Sequence, residues 1–185
     1  MRPKHATHSR RPSGFSWRRA LAQDLERNVA RNKHMAIIVH PIALSSQNSR
    51  LRFCPPTTNN AGTGSLSPTG SIEVLGRTGD KYLAEVGIAE VDMIKIDVEG
   101  HELEVLRGLK DTIRHCEPIL IVEATTDVAS LEQFLPSEYR YFVASRRRLI
   151  TPPNSNSGRN VFCVPSSRAR CIGNTQLHEQ TLGLK

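Results

Sequence analysis

One segment in the middle of the chain limits the possible folds more than any other. Residues 91–98 form an apolar run rich in Ile and Val, and Glu99 and Gly100 end it. Apolar residues then recur at three- and four-residue steps over residues 101–115, which predicts a helix. A second apolar run follows at residues 119–122. Strand, helix and strand in this order predict a βαβ unit with parallel strands, and hence an α/β fold.

Weaker patterns predict further elements on both sides of this unit. The chain patterns predict a helix at 17–33, a long loop at 54–71, short helical segments at 81–86 and 131–135, and strands at 36–39, 51–53, 72–75, 139–144 and 160–164. They divide the chain into a basic tail at 1–23, a partial domain at 24–165 and a loose tail at 166–185.

The formal net charge of +7 first suggests an anionic partner. Residues 1–23 contain six basic residues and no acid, whereas residues 24–143 contain 12 basic and 17 acidic residues. The excess of basic residues therefore lies at the two ends, and the middle of the chain is acidic. This distribution argues against a nucleic-acid-binding domain, and only the tails support that alternative.

The sequence lacks the patterns typical of metal-binding, membrane-spanning and secreted proteins. The four cysteines, Cys54, Cys116, Cys163 and Cys171, form no C-x-x-C pair, so we expect no metal site. No apolar run reaches the length of a membrane span, and no signal-peptide core is present. We therefore expect a cytoplasmic protein with reduced thiols. The Arg- and Ser-rich start leaves organelle import open as an alternative.

Acidic side chains follow both strands of the βαβ unit. Asp97 and Glu99 end the first strand, and Glu123 ends the second. Because the carboxyl ends of parallel neighbours meet at one edge, the three carboxylates should converge on a ligand site. The alternative for Asp97 and Glu99 is capping of the next helix. Lys95 within the apolar run is either their counter-ion or an edge residue with an exposed ammonium group.

The residues from Ile94 to Glu102, Ile-Lys-Ile-Asp-Val-Glu-Gly-His-Glu, precede Val-Leu-Arg-Gly at residues 105–108. Together they resemble the signature of FkbM-type methyltransferases. The similarity extends over about residues 24–165, although only the central motif is specific. The resemblance implies a Rossmann-like enzyme that transfers a methyl group from S-adenosylmethionine to a hydroxyl of a small molecule or sugar.

The resemblance also adds roles for individual residues. It matches residues 43–45 to the stretch after the family's third strand, and Asn60 to a loop pattern. The predicted catalytic residues are Asp97, Glu99 and Lys95, the cofactor-binding residues Asp97, Ala43 and Ser45, and the substrate-binding residues Glu102, Glu123 and Asn60. His101 is expected to be an exposed residue of the first helical turn.

The sequence lacks counterparts of the family's first strand, its glycine-rich turn and its second strand. We therefore expect an incomplete class I methyltransferase sheet, in which the strand at 91–98 has an open edge. Without the glycine turn, we expect this chain to bind S-adenosylmethionine weakly or not at all. The alternative to a truncated enzyme is a non-catalytic scaffold, or a fragment that needs a partner chain to complete the sheet.

Overall fold

The computed structural model describes residues 14–56, 64–124, 128–145, 148–150 and 159–172. These residues form a mixed α/β structure with two sheets. The helices are α1 (Gly14–Arg31), α2 (Gly79–Glu85), α3 (Glu102–Gly108), α4 (Lys110–Cys116) and α5 (Val128–Glu132). The strands are β1 (Ala43–Leu44), β2 (Ser49–Cys54), β3 (Ser65–Leu66), β4 (Ile72–Arg77), β5 (Met93–Ile96), β6 (Ile119–Ala124), β7 (Tyr139–Ser145), β8 (Arg148–Ile150) and β9 (Arg159–Pro165).

The first sheet has the strand order β1-β4-β2-β3, and the second has the order β5-β6-β9-β7-β8. In the second sheet, β5 and β6 are parallel, whereas β6, β9, β7 and β8 pair in antiparallel fashion. Within the described residues β5 therefore lies at an edge, with β6 as its one partner. This confirms the open edge predicted from the sequence.

The predicted βαβ unit is confirmed, with one difference in its helical part. The segment expected to form one helix is divided into α3 and α4, and Leu109 lies between them with φ −111° and ψ 13°. The side chain of Leu109 is nonetheless buried. Both helices therefore remain on the apolar face of the sheet, where Val105, Leu106 and Ile113 join the core.

The hydrophobic core lies between the second sheet and α3, α4 and α5. Its buried members are Ile96, Val105, Leu106, Leu109, Ile113, Leu120, Val122, Leu131, Leu135, Tyr139, Val143, Val161 and Cys163. Tyr139 is satisfied inside this core because its hydroxyl donates to the Pro118 carbonyl over 2.9 Å. Burial raises the pKa of the Cys163 thiol to about 12, so this cysteine stays protonated.

The first sheet is joined to this core by close contacts of small and polar residues. Gly108 of α3 packs against the backbone of Ser45, at the end of β1. Asp80 of α2 accepts the backbone N–H groups of Asp111 and Thr112 at 3.0 and 2.9 Å. The carboxylate of Asp80 thereby caps the first turn of α4, which otherwise leaves N–H groups unpaired.

The predicted strand at residues 36–39 is wrong. These residues carry no strand, and β1 is formed later, at Ala43–Leu44. The side chains of Ile37 and Ile38 are 42% and 77% exposed. A β-branched run favours extended backbone, but it becomes a strand only when a neighbour takes up its hydrogen bonds.

The chain ends also differ from the prediction. Helix α1 begins at Gly14, inside the segment assigned to a basic tail, and residues Ser166–Ile172 of the predicted loose tail form a 3-10 helix. Strand β3 interrupts the predicted loop at 54–71. No described helix combines the length and the apolar character needed to cross a bilayer.

We predict that Gly108→Ala destabilises the fold. A methyl group at this position would lie 2.0 Å from the carbonyl oxygen of Ser45, and backbone atoms on both sides limit relaxation. The free energy of unfolding should fall by about 1–3 kcal/mol, as for other over-packed sites. Urea denaturation followed by circular dichroism measures this change.

The control is Lys110→Ala, on the exposed surface at the start of α4. It should change the free energy of unfolding by less than about 0.5 kcal/mol. Equal stability of Gly108→Ala and the wild type would contradict the close contact between α3 and the end of β1.

Candidate active site

The candidate site lies where β5 and β6 end side by side. Their parallel register places Lys95 opposite Ile121 and Ile96 opposite Val122. Asp97 follows β5 directly, and Glu123 lies near the end of β6. Parallel pairing therefore brings these side chains to one edge of the sheet, as the sequence predicted.

Lys95 connects the two carboxylates. Its Nζ atom lies 3.0 Å from Oδ2 of Asp97 and 3.7 Å from Oε2 of Glu123. The three side chains are 43%, 50% and 43% exposed, in the order Lys95, Asp97 and Glu123. Lys95 is thus an edge residue with a partly exposed side chain, and it is also the counter-ion of both carboxylates. The sequence presented these two roles as alternatives, and the structure shows both.

The ammonium group changes the acidity of its neighbour. The hydrogen bond from Lys95 lowers the pKa of Asp97 below its usual value, although partial burial acts in the opposite direction. Asp97 is therefore a carboxylate at neutral pH. Such a group accepts hydrogen bonds and offsets positive charge well, but it is a weak proton acceptor.

The loop between β5 and α3 has an unusual backbone. Glu99 and Gly100 both have positive φ, at 48° and 93°. This conformation suits Gly100, whereas a residue with a Cβ atom, such as Glu99, pays about 1–2 kcal/mol for it. Strained residues of this kind cluster at functional sites, so the exposed position of Glu99 in this loop is consistent with a ligand contact.

Glu102 faces inward. Its side chain is among the largest that are fully buried, and its Oε1 accepts the N–H of Gly100 over 2.8 Å. This hydrogen bond stabilises the positive-φ turn at Glu99 and Gly100 from its buried side. The predicted contact of Glu102 with a substrate stays a prediction, and the structure gives this residue a role in shaping the loop.

His101 joins the same loop to the end of β1. Its Nε2 lies 3.0 Å from the hydroxyl oxygen of Ser45, which is only 3% exposed. Burial lowers the pKa of His101, while the nearby charges of Glu104 and Glu102 act in the opposite direction. The expectation of an exposed His101 is therefore wrong, and a neutral imidazole links the two loops.

A second contact lies beside the first. The Ser46 hydroxyl donates to Oε2 of Glu104 over 2.5 Å, and Arg107 pairs with the other oxygen of that carboxylate. The Ser46 hydrogen bond lowers the pKa of Glu104. Sequence reasoning missed Ser46 and Glu104 because their sequence separation hides a contact that only the approach of β1 to α3 creates.

The other predicted residues fall in different places. Ala43 lies in β1 opposite Gly76 of β4, and Asn60 lies outside the described residues. Ser45 lies near the site, but its hydroxyl oxygen is in contact with Nε2 of His101.

Within the described residues no group of three or more His, Cys, Asp or Glu side chains is arranged to hold a metal ion. A cleft of about 390 Å³ lined by Asp80, Thr112 and Cys116, among others, contains none of the predicted residues.

Comparison with known proteins assigns the chain to a family. Residues 11–148 match the profile of the methyltransferase FkbM domain, and the chain belongs to this family. The match includes β5, the strained loop, β6 and the end of β1. The resemblance inferred from the central motif is thereby confirmed.

Among individual proteins, the chain is similar to the hexuronic acid methyltransferase AglP of Haloferax volcanii. The two are 29% identical over 93 residues, which cover 50% of this chain and 39% of AglP. The chain thus matches about two fifths of the length of this relative. No solved structure matches the chain significantly.

We predict that His101 makes the stability of the protein sensitive to acid. Its folded-state pKa is below the unfolded value of about 6.5, so the unfolded state binds a proton more readily. The free energy of unfolding should therefore decrease as the pH falls through about 6.5, and this part of the decrease should be absent in His101→Gln. Thermal unfolding at a series of pH values measures the difference.

Ser45→Ala serves as the matched control. It keeps the imidazole, so the acid-dependent decrease should remain, while the lost partner lowers stability by about 1–3 kcal/mol at every pH. Parallel pH profiles for the wild type and His101→Gln would contradict the prediction.

Proposed function

We propose that the chain is an S-adenosylmethionine-dependent methyltransferase domain, in an incomplete Rossmann-like form, that methylates an oxygen atom of a sugar or other small molecule. The observation that carries the proposal is the Lys95, Asp97 and Glu123 cluster at the carboxyl ends of β5 and β6. It lies beside a strained loop in a chain of the FkbM methyltransferase family.

The charges of the cluster fit the proposed cofactor. S-adenosylmethionine carries a positively charged sulfonium group, and when bound it supplies the methyl group. Asp97 is ionised and about half exposed, so it can offset this charge and accept hydrogen bonds. Ser45 fits less well, because its buried hydroxyl is already paired with His101. We therefore assign cofactor contact to Asp97 rather than to Ser45.

Asp97 would act mainly by orientation and charge. The acceptor oxygen must lie in line with the methyl group, and a fixed carboxylate positions a hydroxyl group by accepting its hydrogen bond. Lys95 holds the Asp97 carboxylate in place over 3.0 Å and keeps it ionised. Glu123, on the neighbouring strand with its Oε2 3.7 Å from the Lys95 ammonium group, is the candidate to receive the hydroxyl proton.

Two observations support the proposed class of acceptor, namely the similarity to one relative and the charge of the cluster. The similarity to a hexuronic acid methyltransferase supports a sugar acceptor. One ammonium group faces two carboxylates here, which disfavours an anionic group next to Asp97. We therefore propose that a neutral sugar hydroxyl reacts at this cluster, with hexuronic acids as the first comparison.

A non-catalytic scaffold is the competing function. The open edge of β5 favours it, because an incomplete sheet offers the cofactor fewer contacts. The two functions differ in one observable property, which is methyl transfer by the purified chain.

We predict slow methyl transfer by the purified chain from labelled S-adenosylmethionine to sugars. Equilibrium dialysis should give a dissociation constant above the micromolar range, because we expect few contacts to the cofactor. Transfer should rise with cofactor concentration and be faster to a neutral sugar than to its hexuronic acid. Absence of transfer to every sugar at saturating cofactor would overturn the proposal in favour of the scaffold.

We predict that Asp97→Asn lowers the turnover rate by about a hundredfold, the usual cost of removing a preorganised polar group from the reacting centre. The matched control is Asp92→Asn, at the other end of β5, whose side chain is 89% exposed. This control should keep the wild-type rate. Equal rates for both variants, with unchanged melting temperatures, would show that Asp97 has no part in the reaction.

A further inference from the structure

Among the strands that the structure describes, β5 has β6 on one side and no neighbour on the other, where its backbone groups point away from β6. Ile119 of β6 donates its N–H to the carbonyl of Asp92 over 2.9 Å. In a parallel ladder, the N–H and C=O of a residue point to the same side, and this side alternates along the strand. Asp92 and Ile94 therefore face β6, and the backbone groups of Met93 and Lys95 point to the open edge.

The side chains of β5 alternate between solvent and the core. Met93 is 57% exposed, and the side chains of Lys95 and Asp97 are 43% and 50% exposed. On the other face of the strand, Ile96 is buried in the core, and Ile94 and Val98 pack against it. An apolar strand with a free edge is a template for pairing with another strand.

We propose that a second copy of this chain pairs with this edge, so that the two β5 strands run antiparallel about a two-fold axis at Ile96. In this register, Lys95 lies opposite Asp97 of the partner subunit, and the reverse pair forms at the same time. Ile94 lies opposite Val98 of the partner subunit on the core face. Every directly opposed pair is thus either oppositely charged or aliphatic.

Charge selects this register over its neighbour. A shift of the axis to Lys95 would place the two ammonium groups opposite each other, which destabilises an antiparallel pair. Lysine on an edge strand often prevents such pairing. Here Asp97 lies two residues further along the same face. With the axis at Ile96, each Lys95 therefore lies opposite a carboxylate instead of a second ammonium group, and the pair attracts.

The interface would be small. Positive φ at Glu99 turns the chain away, so each copy contributes about residues 94–98. Such a ladder falls below about 1,200 Å², the lower limit of standard protein interfaces, so we expect association only at high micromolar protein concentration. Glu123 leaves an excess of negative charge near the axis, which also weakens the pair.

A charge exchange tests the proposal by sedimentation equilibrium over a range of protein concentrations. Lys95→Glu places Glu opposite Asp, and Asp97→Lys places Lys opposite Lys, so each should weaken dimerisation by about tenfold. The double variant exchanges the two charges and should restore the wild-type dissociation constant. Lys110→Glu, an equal charge change on α4, should leave the constant unchanged.

Monomers at every concentration, or a double variant no tighter than the single ones, would overturn the proposal. Melting temperatures of all variants separate loss of pairing from loss of folding. The readout is the mass of the assembly, so the result does not depend on whether the chain transfers methyl groups.

Discussion

The parallel pairing of β5 with β6 determines where the charged groups of the candidate site lie. Its register brings Asp97 and Glu123 to the same edge, within reach of one ammonium group. The connection between the strands must then return along the apolar face, which places α3 and α4 over the core. The strained loop after Asp97 is the first part of this connection from β5 to β6. The core and the site thus depend on the same pair of strands.

Contacts between distant parts of the chain hold the loop after β5 in place. His101 reaches Ser45, and the Ser46 hydroxyl reaches Glu104, so the loop after β1 and the start of α3 hold each other. The close approach of Gly108 to Ser45 makes these contacts possible. Of the predicted site residues, Lys95, Asp97 and Glu123 have side chains that are about half exposed. Ser45 and Glu102, which help to hold the loop after β5, are buried.

The sequence predicted the βαβ unit and the approach of Asp97 to Glu123 because both follow from local periodicity and from a general property of parallel sheets. It failed at residues 36–39, since a strand also requires a neighbour, and none of the described strands pairs with them. The link between His101 and Ser45 was not predictable from spacing, because it joins residues of different elements. The roles of Asp97, Glu99 and Lys95 in catalysis remain predictions.

Cys163 gives the fold an internal reporter. It lies in β9, opposite Leu120 of β6 and Tyr141 of β7, and its thiol is fully buried and protonated. Since only the thiolate reacts with alkylating reagents, modification at this position requires β9 to separate from its neighbours. Cys54 and Cys116 are only partly buried. The order in which these thiols react would therefore trace how the centre of the second sheet opens.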